Sequence, residues 1–328
     1  MTAPLNGVAQ GHPVGSTEDD IEAVPLRRPW RWISAFIVLI LLAWFVVTIA
    51  TNPNLDFKTI GEFLFDPRIL SGVGLTLFIT VVSMVVSTLL AIVIAAMRLS
   101  SNPVLSSVSW FYVWAFRGTP QLVQIVLWGY LGLLFDKLRL GIPFTGIEFW
   151  SIDTNTLITP LIAGLLALTL NQAAYSSEIV RAGMVSVDEG QREAAYSLGM
   201  SPVYTFRRVL LPQAMRVIIP PMGNELISML KNTSLLSVIA VLELYTQASI
   251  ISSSNLKQVE LLIVVSAWYL FMTSLLSIPQ YYLERRFGRG TTRNLPPTPF
   301  QRLKAAVNNR KPGPEPAPAT TVTQVVGE

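Results

Sequence analysis

The chain has 328 residues, of which 51% are hydrophobic and 13% charged, with a formal net charge of +4. About 25% charged residues is usual for a soluble domain, so the composition excludes an ordinary soluble protein and makes lipid the solvent for most of the length. The absence of cysteine excludes disulfides and thiol-ligated metals, and the arginines stand beside apolar runs, a membrane-orientation pattern and not a nucleic-acid surface.

In chain order, residues 1–29 are polar, with Glu18-Asp19-Asp20 and the lone His12, and read as a disordered head in which His12 binds no metal. The polar stretch is too long for a signal peptide, so the first apolar run, Ile33 to Ala50, is expected to remain as an anchor, with Trp30 and Trp32 at the interface. Further spans are expected from Gly72 to Met97 and from Val108 to Phe135, the latter interrupted at Arg117-Gly118-Thr119-Pro120-Gln121. A fourth runs from Leu157 to Val180, a fifth from Val217 to Leu244 and a sixth from Val259 to Tyr282, each about long enough for a ~30 Å hydrocarbon core. Pro220-Pro221 and Gly223 are expected to break the fifth span near its start. Residues 288–328 form a Pro-rich tail with little to bury, expected to be disordered.

The predicted fold is therefore an all-α integral membrane protein with six transmembrane helices. Long apolar segments exclude a membrane β-barrel, whose strands are short and alternating. Arg98, Arg181, Arg192, Arg207, Arg208 and Arg216, with Arg27, Arg28, Arg31, Arg285, Arg286 and Arg289, fall on one predicted side. Lys58, Arg68, Lys137, Arg139 and Lys257 fall on the other. The bias places both termini in the cytoplasm of a multi-pass protein. Ser83, Ser87 and Ala91 recur every four residues and mark a close helix contact.

The long inside loop, about 181–216, is amphipathic. Ala194, Ala195 and Leu198 share a face, Glu189, Arg192 and Glu193 supply the polar part, and Gly199 is a helix stop. Ser201-Pro202 then starts a second short, basic helix that ends at Pro212. Two short helices hinged at a glycine suit a docking element for a soluble partner, and they equally suit an interfacial helix resting on headgroups.

The stretch Glu193 to Gly199 (EAAYSLG), followed by nine residues and Val209 to Pro212 (VLLP), resembles the EAA loop of ATP-binding-cassette importer permeases, with Val209 in place of the usual Ile. The runs GLTLFIT (Gly74 to Thr80), RGTPQLVQ (Arg117 to Gln124), AYSSEIVRAG (Ala174 to Gly183) and KNTSLLSVI (Lys231 to Ile239) resemble the polar amino-acid permeases of the histidine/glutamine class. The resemblance implies a five-helix permease core over residues 72–287. An added N-terminal helix and outside loop occupy residues 30–71. It further implies that Glu193, Ala194, Ala195, Gly199, Leu211 and Pro212 dock into a separate ATPase subunit.

Polar groups inside spans are expensive in lipid and are candidates for a substrate path. They are Arg117, Thr119, Gln121, Asn171, Glu178, Asn224, Glu225, Lys231, Thr233 and Ser234. Paired carboxylate and cationic groups suit a zwitterion. Each also has a structural reading: Arg117 bracing a kink at Pro120, Glu178 pairing with Arg181, Glu225 and Lys231 as ion partners in the bundle. The chain has no GxxxxGK[ST] loop, so ATP and Mg belong to a partner and this chain has no catalytic site. The expected assembly has two ATP-binding subunits, a second permease subunit, and an extracytoplasmic amino-acid-binding protein in the bacterial plasma (inner) membrane. The rival is an ion-coupled secondary amino-acid transporter, which needs no ATPase-docking loop.

Overall fold

The structure is a computed structural model that describes residues 29–142 and 148–287. His12, the head, the tail, Arg27, Arg28 and Arg289 lie outside those residues. The chain divides into two compact units at Leu55. In the first, helix α1 (Pro29–Ala50) carries the apolar run Ile33–Ala50, exposed all the way round. A helix apolar on every side has lipid or protein as its only stable surroundings.

The second unit begins with two capped helices. Asp56 starts α2 (Phe57–Leu64), accepting from the backbone of Lys58 and Thr59 and from the Thr59 hydroxyl. The Thr59 hydroxyl bond, aided by the backbone bond, holds the Asp56 carboxyl down at about 2. Asp66 caps α3 (Pro67–Arg98), with Pro67 in its first turn. The span read from Gly72 thus starts inside a longer helix, because the Asp-Pro pair sets the true N-terminus. The same cap-plus-proline signal opens α4 (Pro103–Gly118) at Asn102 and α8 (Pro160–Val185) at Thr159.

Between α4 and α8 lie α5 (Gln121–Gly129), α6 (Leu131–Leu134), strands β1 (Lys137–Gly141) and β2 (Glu148–Asp153), and α7 (Thr154–Leu157). The antiparallel hairpin pairs Lys137 with Asp153 and Arg139 with Ser151. It corrects the all-α expectation: among the described residues the fold is mostly helical with one small two-stranded sheet. Its segments are too short and too mixed to stand out against long apolar spans.

After α8 come α9 (Glu189–Ser197), α10 (Pro202–Thr205), a π-helical turn (Phe206–Leu210) and α11 (Leu211–Asn232). Pro212 does not end a short helix, as expected above; one unbroken helical stretch runs from Pro202 to Ile239. The π turn, closed by Leu211 N–H on Phe206 O, widens the helix just before Pro212. A proline ring would clash with the carbonyl four residues back in a regular helix. Pro220 and Pro221 likewise lie inside α11 without breaking it. They remove only the bonds to the carbonyls of Arg216 and Val217, both exposed residues.

The real break comes later. A 3-10 turn (Thr233–Ile239) ends at Ala240, in the left-handed region at φ 58°, and α12 (Leu244–Asn255) leaves at 47° to the preceding helix. Buried Glu243 caps α12, accepting from Tyr245 N, Thr246 N, the Thr246 hydroxyl and the Tyr269 hydroxyl of α13 (Gln258–Phe287).

Helices α3 and α8 form the central contact. Ser83, Ser87 and Ala91 are fully buried in α3, and α8 in turn buries Ala163, Ala167, Ala173 and Ala174. Small side chains bring the backbones close, where dispersion and not the hydrophobic effect drives association in lipid. Gly72 extends this closeness to α12: a Cβ there would stand 2.8 Å from Leu244 Cα. Among the described residues three helices, α1, α3 and α13, are long and apolar enough to span, or four if the bent pair counts as one span. Helix α8 misses that test because it carries Asn171, Gln172, Glu178 and Arg181. Surrounded by protein on one face, it can hold such groups where a lipid-bathed helix cannot.

Candidate functional site

A cavity of about 400 Å³ opens where α4, α5, α8 and α11 converge. It gathers Arg117, Thr119, Gln121, Asn171 and Glu225 from the predicted set and adds Gln172, Tyr175 and Asn232. Glu225 and Asn232 are seven residues apart, two turns of α11, and so share a face. Asn224 and Lys231 lie one position off that face. Asn224 instead accepts from Gln280 at 2.6 Å, and Lys231 is exposed. Thr233 and Ser234 also fall outside, in the 3-10 turn, where each hydroxyl donates back to a carbonyl three residues earlier. Glu178 is outside too and takes two hydrogen bonds from Arg181, at 2.8 and 3.0 Å.

The break in the third predicted span explains much of the site. Pro120 has no N–H, so the Phe116 carbonyl loses its helical partner. Gln124 Nε2 at 2.9 Å and Asn171 Nδ2 at 3.1 Å donate to it instead. Gln124 Nε2 also donates to the Thr119 hydroxyl at 2.7 Å, while its Oε1 accepts from Asn171 at 3.1 Å. The kink is therefore braced by Gln124 and Asn171, and not by Arg117. The Arg117 guanidinium lies over the Tyr175 ring, 5.1 Å from its centroid. Across the cavity, Gln172 Nε2 donates to Glu225 Oε2 at 2.9 Å and to Ser176 Oγ at 3.1 Å, fixing the carboxylate. Gln124 and Gln172 were readable as intramembrane amides beside Pro120 and Asn171. Tyr175 carried no such signal.

A second feature is the loop end. Asp188 caps α9, accepting from Gly190 N at 2.8 Å, and Glu189 pairs with Arg192. Gly199 sits at φ +76°. Its N–H donates to Tyr196 O at 2.9 Å and that of Met200 to Ala195 O at 3.1 Å, which is the Schellman arrangement. Of the predicted apolar face only Ala195 is buried. Glu193 and Ala194 are exposed, and Leu198 is 82% exposed, with Tyr196, Val203 and Tyr204 exposed beside it. Leu211 is half-buried and Pro212 exposed, at the start of α11. Gln213 Nε2 donates to Gln191 Oε1 at 3.3 Å, linking α9 to α11.

A polar cavity in a helical membrane bundle, joined by one helix to an exposed surface element, defines a transport subunit. The chain belongs to the family of binding-protein-dependent transport system inner membrane components, whose match covers residues 87–289. It is similar to the arginine transport system permease protein ArgU of Corynebacterium glutamicum, 47% identical over 84% of this chain and 85% of that protein. It is also similar to the L-cystine transport system permease protein TcyB of Bacillus subtilis, 38% identical over 72% of this chain and 97% of that one. Among solved structures, an amino acid ABC transporter crystallised with histidines matches at 36% identity and a TM-score of 0.60. That match covers 71% of this chain and 99% of the other.

Proposed function

We propose that this chain forms the translocation pathway of an ATP-driven importer for a polar amino acid, one whose ATP and Mg are held by a partner. The carrying observation is mechanical continuity. The helical stretch from Pro202 to Ile239 starts at the exposed docking element and carries Glu225 and Asn232 into the cavity. A displacement imposed on α9 by a closing ATPase would pass across the Gly199 turn and the Gln213–Gln191 hydrogen bond into this helical stretch and so to the cavity, as two-state access requires. Family membership and the amino-acid permeases among the relatives favour this reading over a secondary transporter.

The cavity offers Arg117 for a carboxylate and Glu225 for an ammonium group, with Thr119, Gln121 and Asn171 as neutral neighbours. Glu193, Ala194, Ala195, Gly199, Leu211 and Pro212 form the coupling element. The assembly has two ATP-binding subunits, a second permease subunit and an extracytoplasmic binding protein. In this reading six spans (α1, α3, α4 with α5, α8, the bent helix ending at Asn255, and α13) put both termini on one side, and the arginine bias favours the cytoplasm for that side. Residues 72–287 hold the permease core.

Crosslinking from Leu198→Cys, in a chain otherwise free of cysteine, followed by mass spectrometry, tests the coupling role. Capture of an ATPase bearing a GxxxxGK[ST] loop is the expected result. Efficient crosslinking to lipid alone would overturn it. Reporter fusions near Asp66 and Met200 should read opposite sides of the membrane.

A further inference from the structure

A second cavity of about 440 Å³ adjoins the first and is lined by Arg98, Trp110, Trp114, Arg117, Tyr175 and Glu178, among others. Arg117, Gly118 and Tyr175 line both. The order along each helix gives its position. On α8 the first cavity uses Asn171, Gln172 and Tyr175, whereas the second uses Tyr175 and Glu178. From Asn171 to Glu178 is about 10 Å along the axis at 1.5 Å per residue, toward the end that leads into α9. On α4 the second cavity uses Trp110, Val113 and Trp114, and the first begins only at Arg117. Arg98, the last residue of α3, closes the same end. The two chambers therefore lie in series, with the Arg117–Tyr175 pair as the partition.

The chemistry of the second chamber is complete for one class of ligand. Among the described residues the Arg98 guanidinium makes one bond, a long one of 3.4 Å to Ser106 O, so its remaining donors are available to a carboxylate. Both Arg181 bonds to Glu178 fall on Oε2, leaving Oε1 available to an ammonium group. Trp110 and Trp114 are half-exposed and stacked, their rings 6.1 Å apart and 9° from parallel. They present a flat surface to an extended or cationic side chain. The volume falls in the range of small-molecule sites, about 300–1,000 Å³.

We infer that this chamber is a second amino-acid site, an exit station on the coupling-loop side of Arg117 and Tyr175. It takes the carboxylate on Arg98, the ammonium on Glu178 and the side chain along the tryptophans. The inference rests on the amino-acid pathway proposed above. It differs from a single central site in that a permease chain binds two substrate molecules when the partition is closed.

The test is equilibrium binding of radiolabelled L-arginine, L-glutamine and L-cystine, each in turn, to the assembled importer in nanodiscs without nucleotide. Two sites per permease chain are expected for the transported amino acid. Arg98→Gln should weaken one of them by about tenfold or more, as should Trp110→Ala. Glu225→Gln should remove the other, and Val104→Ala, exposed on α4 and lining neither cavity, should change neither. Trp110→Cys, the only cysteine in its chain, should be shielded from a charged thiol reagent by the same amino acid. One site per chain, lost in Glu225→Gln and untouched by Arg98→Gln or Trp110→Ala, would overturn the exit station and spare the pathway. Binding that none of these variants alters would overturn both.

Discussion

Replacing Gly199 gives the sharpest separation of hinge from contact surface. At φ +76° this residue occupies the left-handed region, and a Cβ built there would meet nothing within 4 Å. Sterics with neighbours therefore contribute nothing, and the whole cost is in the backbone. For an ordinary L-residue that cost is roughly 1–2 kcal/mol, whereas asparagine tolerates the conformation. A change of that size shifts the balance between the capped and uncapped loop by a factor of about 5–30. Gly199→Val should then reduce uptake and ATPase retention several-fold while membrane abundance, read by immunoblot, stays normal. Gly199→Asn should retain most of both. If Val and Asn behave alike, either both harmless or both inactive, the conformational reasoning fails.

Glu193→Lys places the opposite charge on an exposed position of α9, so uptake should be lost with the protein still in the membrane; wild-type uptake would refute its docking role. Because α11 runs through both prolines, the double variant Pro220→Ala, Pro221→Ala should transport at near wild-type rate, measured as initial uptake. A complete loss would restore the idea of a functional break there. Gly72→Ala should cost about 1–3 kcal/mol, since its Cβ would meet Leu244 backbone at 2.8 Å. Gly74→Ala, with nothing nearby, should be neutral or stabilising; thermal unfolding in detergent compares the two.

The long apolar helices, the helix stop at Gly199 and half of the cavity were readable because each obeys a local rule. Long apolar runs mark helices in lipid, and the glycine at position 199 marks a Schellman stop. Asn171 and Glu225 are polar groups in apolar surroundings, and the cavity includes both. What escaped depends on angle and on partners. Asn224 and Glu225 are adjacent in sequence, yet only one faces the cavity, and which one is set by the rotation of α11 against α8. The proline pair looked like a break, but the helix runs on through it, with the residues whose carbonyls lose a partner, Arg216 and Val217, both exposed. The true bend at Ala240 has no glycine or proline and is held by buried Glu243 and Tyr269, which only tertiary packing reveals. Asp66-Pro67, Asn102-Pro103 and Thr159-Pro160 repeat the signal already recognised at Ser201-Pro202 and would have placed three helix starts.

The most direct test of the account is uptake into proteoliposomes holding the assembled importer, its binding protein and L-arginine or another polar amino acid outside. Import should require ATP on the ATPase side, stop with vanadate, and persist when proton and sodium gradients are collapsed. Import driven by an ion gradient in the absence of ATP would contradict the account and establish a secondary transporter in its place.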